Sequence, residues 1–118
     1  DADKRTVQEI AQEVRRLAQG ARDSTLSVDE VTGSTFTITN LGTYGLDGFT
    51  PIINAPEAAI LGVGRIVERV VVHEDQIARR KMMVLSLTID HRLVDGAPGG
   101  EFLRSLKELL EKPYRLLV

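Results

Sequence analysis

Residues 58–90 constrain the fold more than any other stretch. The run from Ala58 to Val72 is aliphatic and β-branched, residues 77–90 are again strand-like, and the polar tetrapeptide HEDQ at 73–76 divides them. β-branched side chains suit a pleated, half-buried surface better than a helix. Two such runs around a short polar break predict one β-hairpin spanning 58–90. Its second arm ends in strict alternation, Leu85, Leu87 and Ile89 against Ser86, Thr88 and Asp90. Gly62 and Gly64 lie inside the first arm. Glycines there predict a bulge or the close approach of another backbone.

The flanking segments supply the cover. Thr6 and Glu9 form a T-x-x-E capping box, after which Ile10, Val14, Leu17, Ala18 and Ala21 recur at helical spacing. Residues 24–32 read as a polar connection with one helical turn. STFTITN, 34–40, alternates with Phe36 and Ile38 on one side and Thr35, Thr37 and Thr39 on the other, a strand. Residues 41–57 carry Gly42, Gly45, Gly48, Pro51 and Pro56 and predict a long structured loop, of a length often tied to function. A last helix starts near Gly99, places Phe102, Leu103, Leu106, Leu109 and Leu110 on one face and stops at Pro113. The order helix, strand, hairpin, helix predicts an α/β (α+β) sandwich whose sheet is mixed or largely antiparallel.

Composition narrows the function classes. The 118 residues are 42% hydrophobic and 27% charged, values of one globular domain. A net charge of −2 gives no reason to expect binding to nucleic acid or to an acidic membrane surface. No apolar run reaches the roughly 20 residues that span a bilayer, and the polar start DADKRTVQEI is unlike a signal peptide. The absence of cysteine removes disulfides, thiolate metal sites and cysteine nucleophiles, and fits a cytoplasmic protein.

The chemistry concentrates in SLTIDHRLVDGAPGG, 86–100. His91 stands where the apolar strand gives way to a turn, and histidine is the side chain that exchanges a proton near neutral pH. Each residue also has a plain structural reading. A histidine after a strand is commonly structural, Asp95 sits where it would cap the following helix, and Arg92 reads as a surface charge. His73 in HEDQ lies beside two carboxylates, but neighbouring positions do not converge on one ion and no second histidine helps. A solvated turn is the reading taken there.

DHRLVDG resembles the D-H-R-x-x-D-G motif of the dihydrolipoamide acyltransferases, the E2 components of 2-oxo acid dehydrogenase complexes. GSTFTITNLGTYG is similar to the family's G-G-T-F-T segment, with Ser34 at its second glycine. FTPIINAPEAAILGVGRI is similar to its T-P-I-I-N-x-P-E segment, and DADKRTVQEIAQEV to the start of a helix in the middle of the catalytic domain. The three motifs are co-ordered and the likeness covers the chain. It implies a chloramphenicol acetyltransferase-like fold, a mixed sheet covered by helices. Residues 1–118 would be the C-terminal portion of a catalytic domain about twice as long, a partial domain that leaves sheet edge and apolar surface exposed.

The resemblance further implies acyl transfer between dihydrolipoamide and coenzyme A. His91 would be the general base and Thr39, otherwise an ordinary strand residue, the oxyanion donor. Asp95 would be catalytic, as in some members, or, the role favoured here, hold the loop by pairing with an arginine. Asp90 and Arg92 would be local scaffolding, and Gly99 and Gly100 would let the pantetheine arm of coenzyme A approach. It implies a homotrimer that builds a larger core, with the histidine and the oxyanion donor contributed by neighbouring subunits. The lipoyl domain and the links to the E1 and E3 components would lie on domains outside this chain, and the location would be cytoplasmic, or the mitochondrial matrix in a eukaryote. The acyl group stays open among acetyl, succinyl and branched-chain. Two alternatives stand beside this reading: a non-catalytic structural or assembly fragment of the core, and a free acetyltransferase of the chloramphenicol acetyltransferase type, with an H-x-x-x-D-G motif.

Overall fold

A computed structural model describes residues 1–117. The chain divides after Ser34 into two units, each described by itself.

In the first unit, α1 (Val7–Arg22) starts at the predicted capping box: Glu9 N–H donates to Thr6 Oγ1 at 3.3 Å and Thr6 N–H to Glu9 Oε2 at 2.7 Å. A second box, Ser27 with Glu30, opens the one-turn α2 (Val28–Val31). The Arg16 guanidinium joins the two helices by donating to Glu13 (2.8 Å) and Glu30 (2.6 Å). Gly20 lies under Leu26, whose Cδ2 is 2.5 Å from where a Cβ would stand, so the chain folds back tightly on α1.

In the second unit, β1 (Thr37–Asn40), β2 (Ala59–Val63) and β5 (Leu85–Ile89) form a sheet in the order β1-β2-β5, parallel between β1 and β2 and antiparallel between β2 and β5. The predicted mixed sheet is therefore present. The single long hairpin is not. Its outer part is a separate two-stranded sheet, β3 (Val67–His73) with β4 (Gln76–Met82). Val63 pairs with Leu85 and Val67 with Met82, so the three residues 64–66 face only two, 83 and 84. This extra residue is the bulge that the glycines predicted. Gly64 N–H still donates to Val84 O at 3.0 Å, but Arg65 N–H turns away to Leu46 O at 2.8 Å. A Cβ on Gly64 would lie 1.9 Å from Asp47 O, so the 41–57 loop crosses here at backbone contact. The hairpin turn is tighter than HEDQ: only Glu74 (φ 51°) and Asp75 (φ 60°) leave the ladder, both at the positive φ that two-residue hairpin turns use.

Two further features define the second unit. The covered side of β1 is Thr37 and Thr39, while Ile38 is 67% exposed on an edge strand. On that side the buried acid Glu57 accepts from Thr37 Oγ1. The last helix, α3 (Gly96–Glu111), begins three residues before Gly99. It lies on β5, with Leu103, Leu106 and Leu109 half-buried and Phe102 stacked at a tilt on Phe36, centroids 5.8 Å apart. The core is small: among the described residues Ile60 and Leu61 of the central strand are the buried aliphatic side chains, whereas Tyr44, Ile52 and Leu93 are exposed.

Candidate active site

The site is built at the end of β5. Asp90 N–H donates to Ala58 O at 2.8 Å, one rung beyond the ladder. The chain then turns, Leu93 and Val94 N–H donating back to Asp90 O at 2.9 and 3.0 Å. The Asp90 carboxylate locks the turn. It accepts from Arg92 N–H at 3.0 Å and from the Arg92 guanidinium at 3.0 Å (Nε to Oδ1) and 2.7 Å (Nη2 to Oδ2). The guanidinium bonds, then the backbone bond, hold the Asp90 carboxyl down at about 2. Asp90 and Arg92 thus form the scaffold expected of them, and the residue between them, His91, projects with 75% of its side chain exposed. It stands in an open recess lined also by Ile53, Pro56 and Glu57.

Asp95 meets neither structural expectation. Its ion-pair partner is His91, Nδ1 to Oδ1 at 3.8 Å, while Arg92 is engaged by Asp90. That separation exceeds a hydrogen bond. Asp95 occupies the N-cap position of α3, but its side chain makes no cap bond and is 83% exposed. Gly99 and Gly100, expected to admit the pantetheine arm, lie in the first two turns of α3. Gly99 is buried, with Ile89 Cδ1 3.3 Å from where a Cβ would stand, so it lets the helix approach β5; Gly100 has open space beside it.

Thr39 is elsewhere. It pairs with Gly62 on β2, whereas Asp90 is level with Ala58. Four residues along the strand and two strand spacings across put Thr39 and the His91 turn about 16 Å apart. Groups serving one reacting carbon lie about 3 Å from it. The chain therefore does not bring His91 and Thr39 onto one substrate by itself.

The sequence reading missed Glu57. The carboxylate is 4% exposed and accepts from Thr37 Oγ1 at 2.6 Å and Asn54 Nδ2 at 3.3 Å. A lone acid inside the apolar 51–63 stretch was the signal available, since a charge is buried only when it is hydrogen-bonded.

Residues 1–118 match the 2-oxoacid dehydrogenases acyltransferase (catalytic domain) family. The chain belongs to that family. Among similar members is the dihydrolipoyllysine-residue succinyltransferase component of the 2-oxoglutarate dehydrogenase complex of Bartonella vinsonii subsp. berkhoffii, 50% identical over all of this chain and 29% of that protein. The chain thus spans less than a third of the length of this curated relative. Among solved structures, the cubic core of the pyruvate dehydrogenase multienzyme complex matches with a TM-score of 0.92 at 39% identity, over 98% of this chain and 48% of that one. The dihydrolipoamide acetyltransferase of Azotobacter vinelandii matches equally well, with a TM-score of 0.92 at 40% identity over the same shares. A serine, a histidine and an asparagine of that enzyme have been investigated, by crystallography and enzyme assay, for their role in its catalytic mechanism. Its serine precedes the histidine by 52 positions and its asparagine follows by four. In this acyltransferase-family chain Thr39 precedes His91 by 52 and Asp95 follows by four.

Proposed function

We propose that the protein transfers an acyl group between dihydrolipoamide and coenzyme A as part of the E2 core of a 2-oxo acid dehydrogenase complex. The observation that carries this reading is the coincidence of spacing: Thr39, His91 and Asp95 stand at the intervals of three residues studied for catalysis in a related acetyltransferase. The geometry of the His91 turn supports it, since the Asp90–Arg92 pair fixes the backbone on both sides of an exposed imidazole.

In this mechanism His91 takes the proton from the attacking thiol, which is mostly protonated at pH 7. The thiolate forms a carbon–sulfur bond at the thioester carbonyl, and Thr39 donates its hydroxyl to the resulting oxyanion. Collapse breaks the other carbon–sulfur bond, and His91 returns the proton to the departing thiolate. Asp95 stands within ion-pair range of the imidazole, Nδ1 to Oδ1 at 3.8 Å. Because the two active groups lie about 16 Å apart within the chain, His91 of one subunit works with Thr39 of its neighbour. A homotrimer that builds a larger core supplies that arrangement, and the resemblance of the fold to a cubic core supports it. The lipoyl group arrives on its own domain, and E1 and E3 dock through other domains. A cytoplasmic or mitochondrial matrix location accompanies this role.

The test is His91→Ala in the full-length protein. Loss of a general base lowers kcat by at least about 10²-fold with little change in KM for coenzyme A. Unchanged turnover removes the mechanism.

A further inference from the structure

We propose that Glu57 is a positioning residue for the oxyanion donor: through its bond to Thr37 it fixes the edge strand that carries Thr39. The inference rests on the reading of Thr39 given above and extends it to a residue with no assigned part in the reaction.

Glu57 is 4% exposed, and a buried carboxylate is costly compared with an aliphatic side chain of the same size. Its own place is firmly set. Glu57 N–H donates to Asn54 O at 3.0 Å, and Asn54 Nδ2 donates to Glu57 Oε1 at 3.3 Å. The other carboxylate oxygen accepts from Thr37 Oγ1 at 2.6 Å, the short distance of a charge-assisted bond. This tie reaches the strand that most needs one. β1 has four residues, and among the described residues its one sheet partner is β2. Residues two apart on a strand share a face, so Thr37 and Thr39 point the same way, and both are on the covered side. Fixing Thr37 therefore sets the height and tilt of the face that presents the Thr39 hydroxyl. An oxyanion donor works within a few tenths of an ångström of its hydrogen-bond distance, and a displacement near 1 Å costs up to about 10²-fold in rate.

The experiment is a double-mutant cycle in the full-length protein, with assembly checked by sedimentation. Thr37→Val keeps the shape and strand preference but removes the donor to Glu57. The expected result is a fall in kcat of about tenfold with KM for coenzyme A unchanged, and recovery to within about twofold in Thr37→Ser. In a Thr39→Ala background Thr37→Val then adds no further loss, because the group being positioned is gone. Glu57→Gln, which keeps the volume but loses the charge-assisted bond, gives the same pattern and serves if Thr37→Val does not assemble. Normal turnover in Thr37→Val, or an undiminished loss in the Thr39→Ala background, overturns the inference while leaving the role of Thr39 standing. Normal turnover in Thr39→Ala overturns that role and this inference together.

Discussion

Mixed assemblies test the division of labour between chains. Thr39 pairs with Gly62 and Asp90 bonds Ala58, which separates the proposed oxyanion donor from the proposed base by about 16 Å in one chain. A shared reacting centre tolerates about 6 Å, twice a hydrogen-bond length. In the proposed mechanism each working site then takes His91 from one chain and Thr39 from another. Thr39→Ala chains retain the base, and His91→Ala chains retain the hydroxyl. In cores assembled from equal amounts of the two, about one site in four joins a good His91 to a good Thr39. Each parent alone falls to about 1% of normal turnover or below. The hybrid cores are therefore expected to recover about a quarter of normal acyl transfer from acyl-CoA to dihydrolipoamide, after refolding together or co-expression. Cores mixed after assembly, without exchange, stay inactive and serve as the control. Hybrid cores no more active than their parents refute the reasoning, because they require both groups to act within one chain despite the register.

Thr39→Ser keeps the hydroxyl and is expected to turn over near normally, whereas Thr39→Ala loses about 10²-fold in kcat; equal losses in the two variants make the methyl group, not the hydroxyl, the active feature. Asp90 is held at about 2 by Arg92, so its stabilisation is complete above the ordinary aspartate value of about 3.9 and is lost as pH falls toward 2. Asp90→Asn should thus lower the urea midpoint at pH 6, with the gap to the parent closing by about pH 2; a gap that does not change with pH contradicts the assigned cause. Gly64→Ala places a methyl group 1.9 Å from Asp47 O, a clash with backbone that is expected to cost at least the 1–3 kcal/mol typical of overpacking. An unaltered Tm would mean that the 46–47 crossing yields freely.

Local chemistry made the elements legible in the sequence. The Thr6–Glu9 box and the apolar stripe behind it specify α1 without help from the rest of the chain, because capping and helical period are near-neighbour effects. Alternation at 85–89 specifies β5 in the same way, and Gly62 and Gly64 announced a bulge or a close approach. The histidine turn was readable as a motif, since Asp90 and Arg92 bond one another across His91 within three residues. Tertiary structure decided what depends on partners distant along the chain. Only the crossing of the 41–57 loop at Gly64 shows that residues 58–90 divide between two sheets rather than forming one hairpin. Only the tertiary structure shows that Glu57 is buried and bonded to Thr37 on the covered side of β1 while Ile38 is exposed, against the usual order of hydrophobicity. The separation of Thr39 from His91 follows from strand order and register, which pair residues 22 to 30 positions apart. Short-range periodicity carries no information about such pairings, so the motif residues were legible in the sequence, and only the sheet shows that Thr39 and the His91 turn lie apart within one chain.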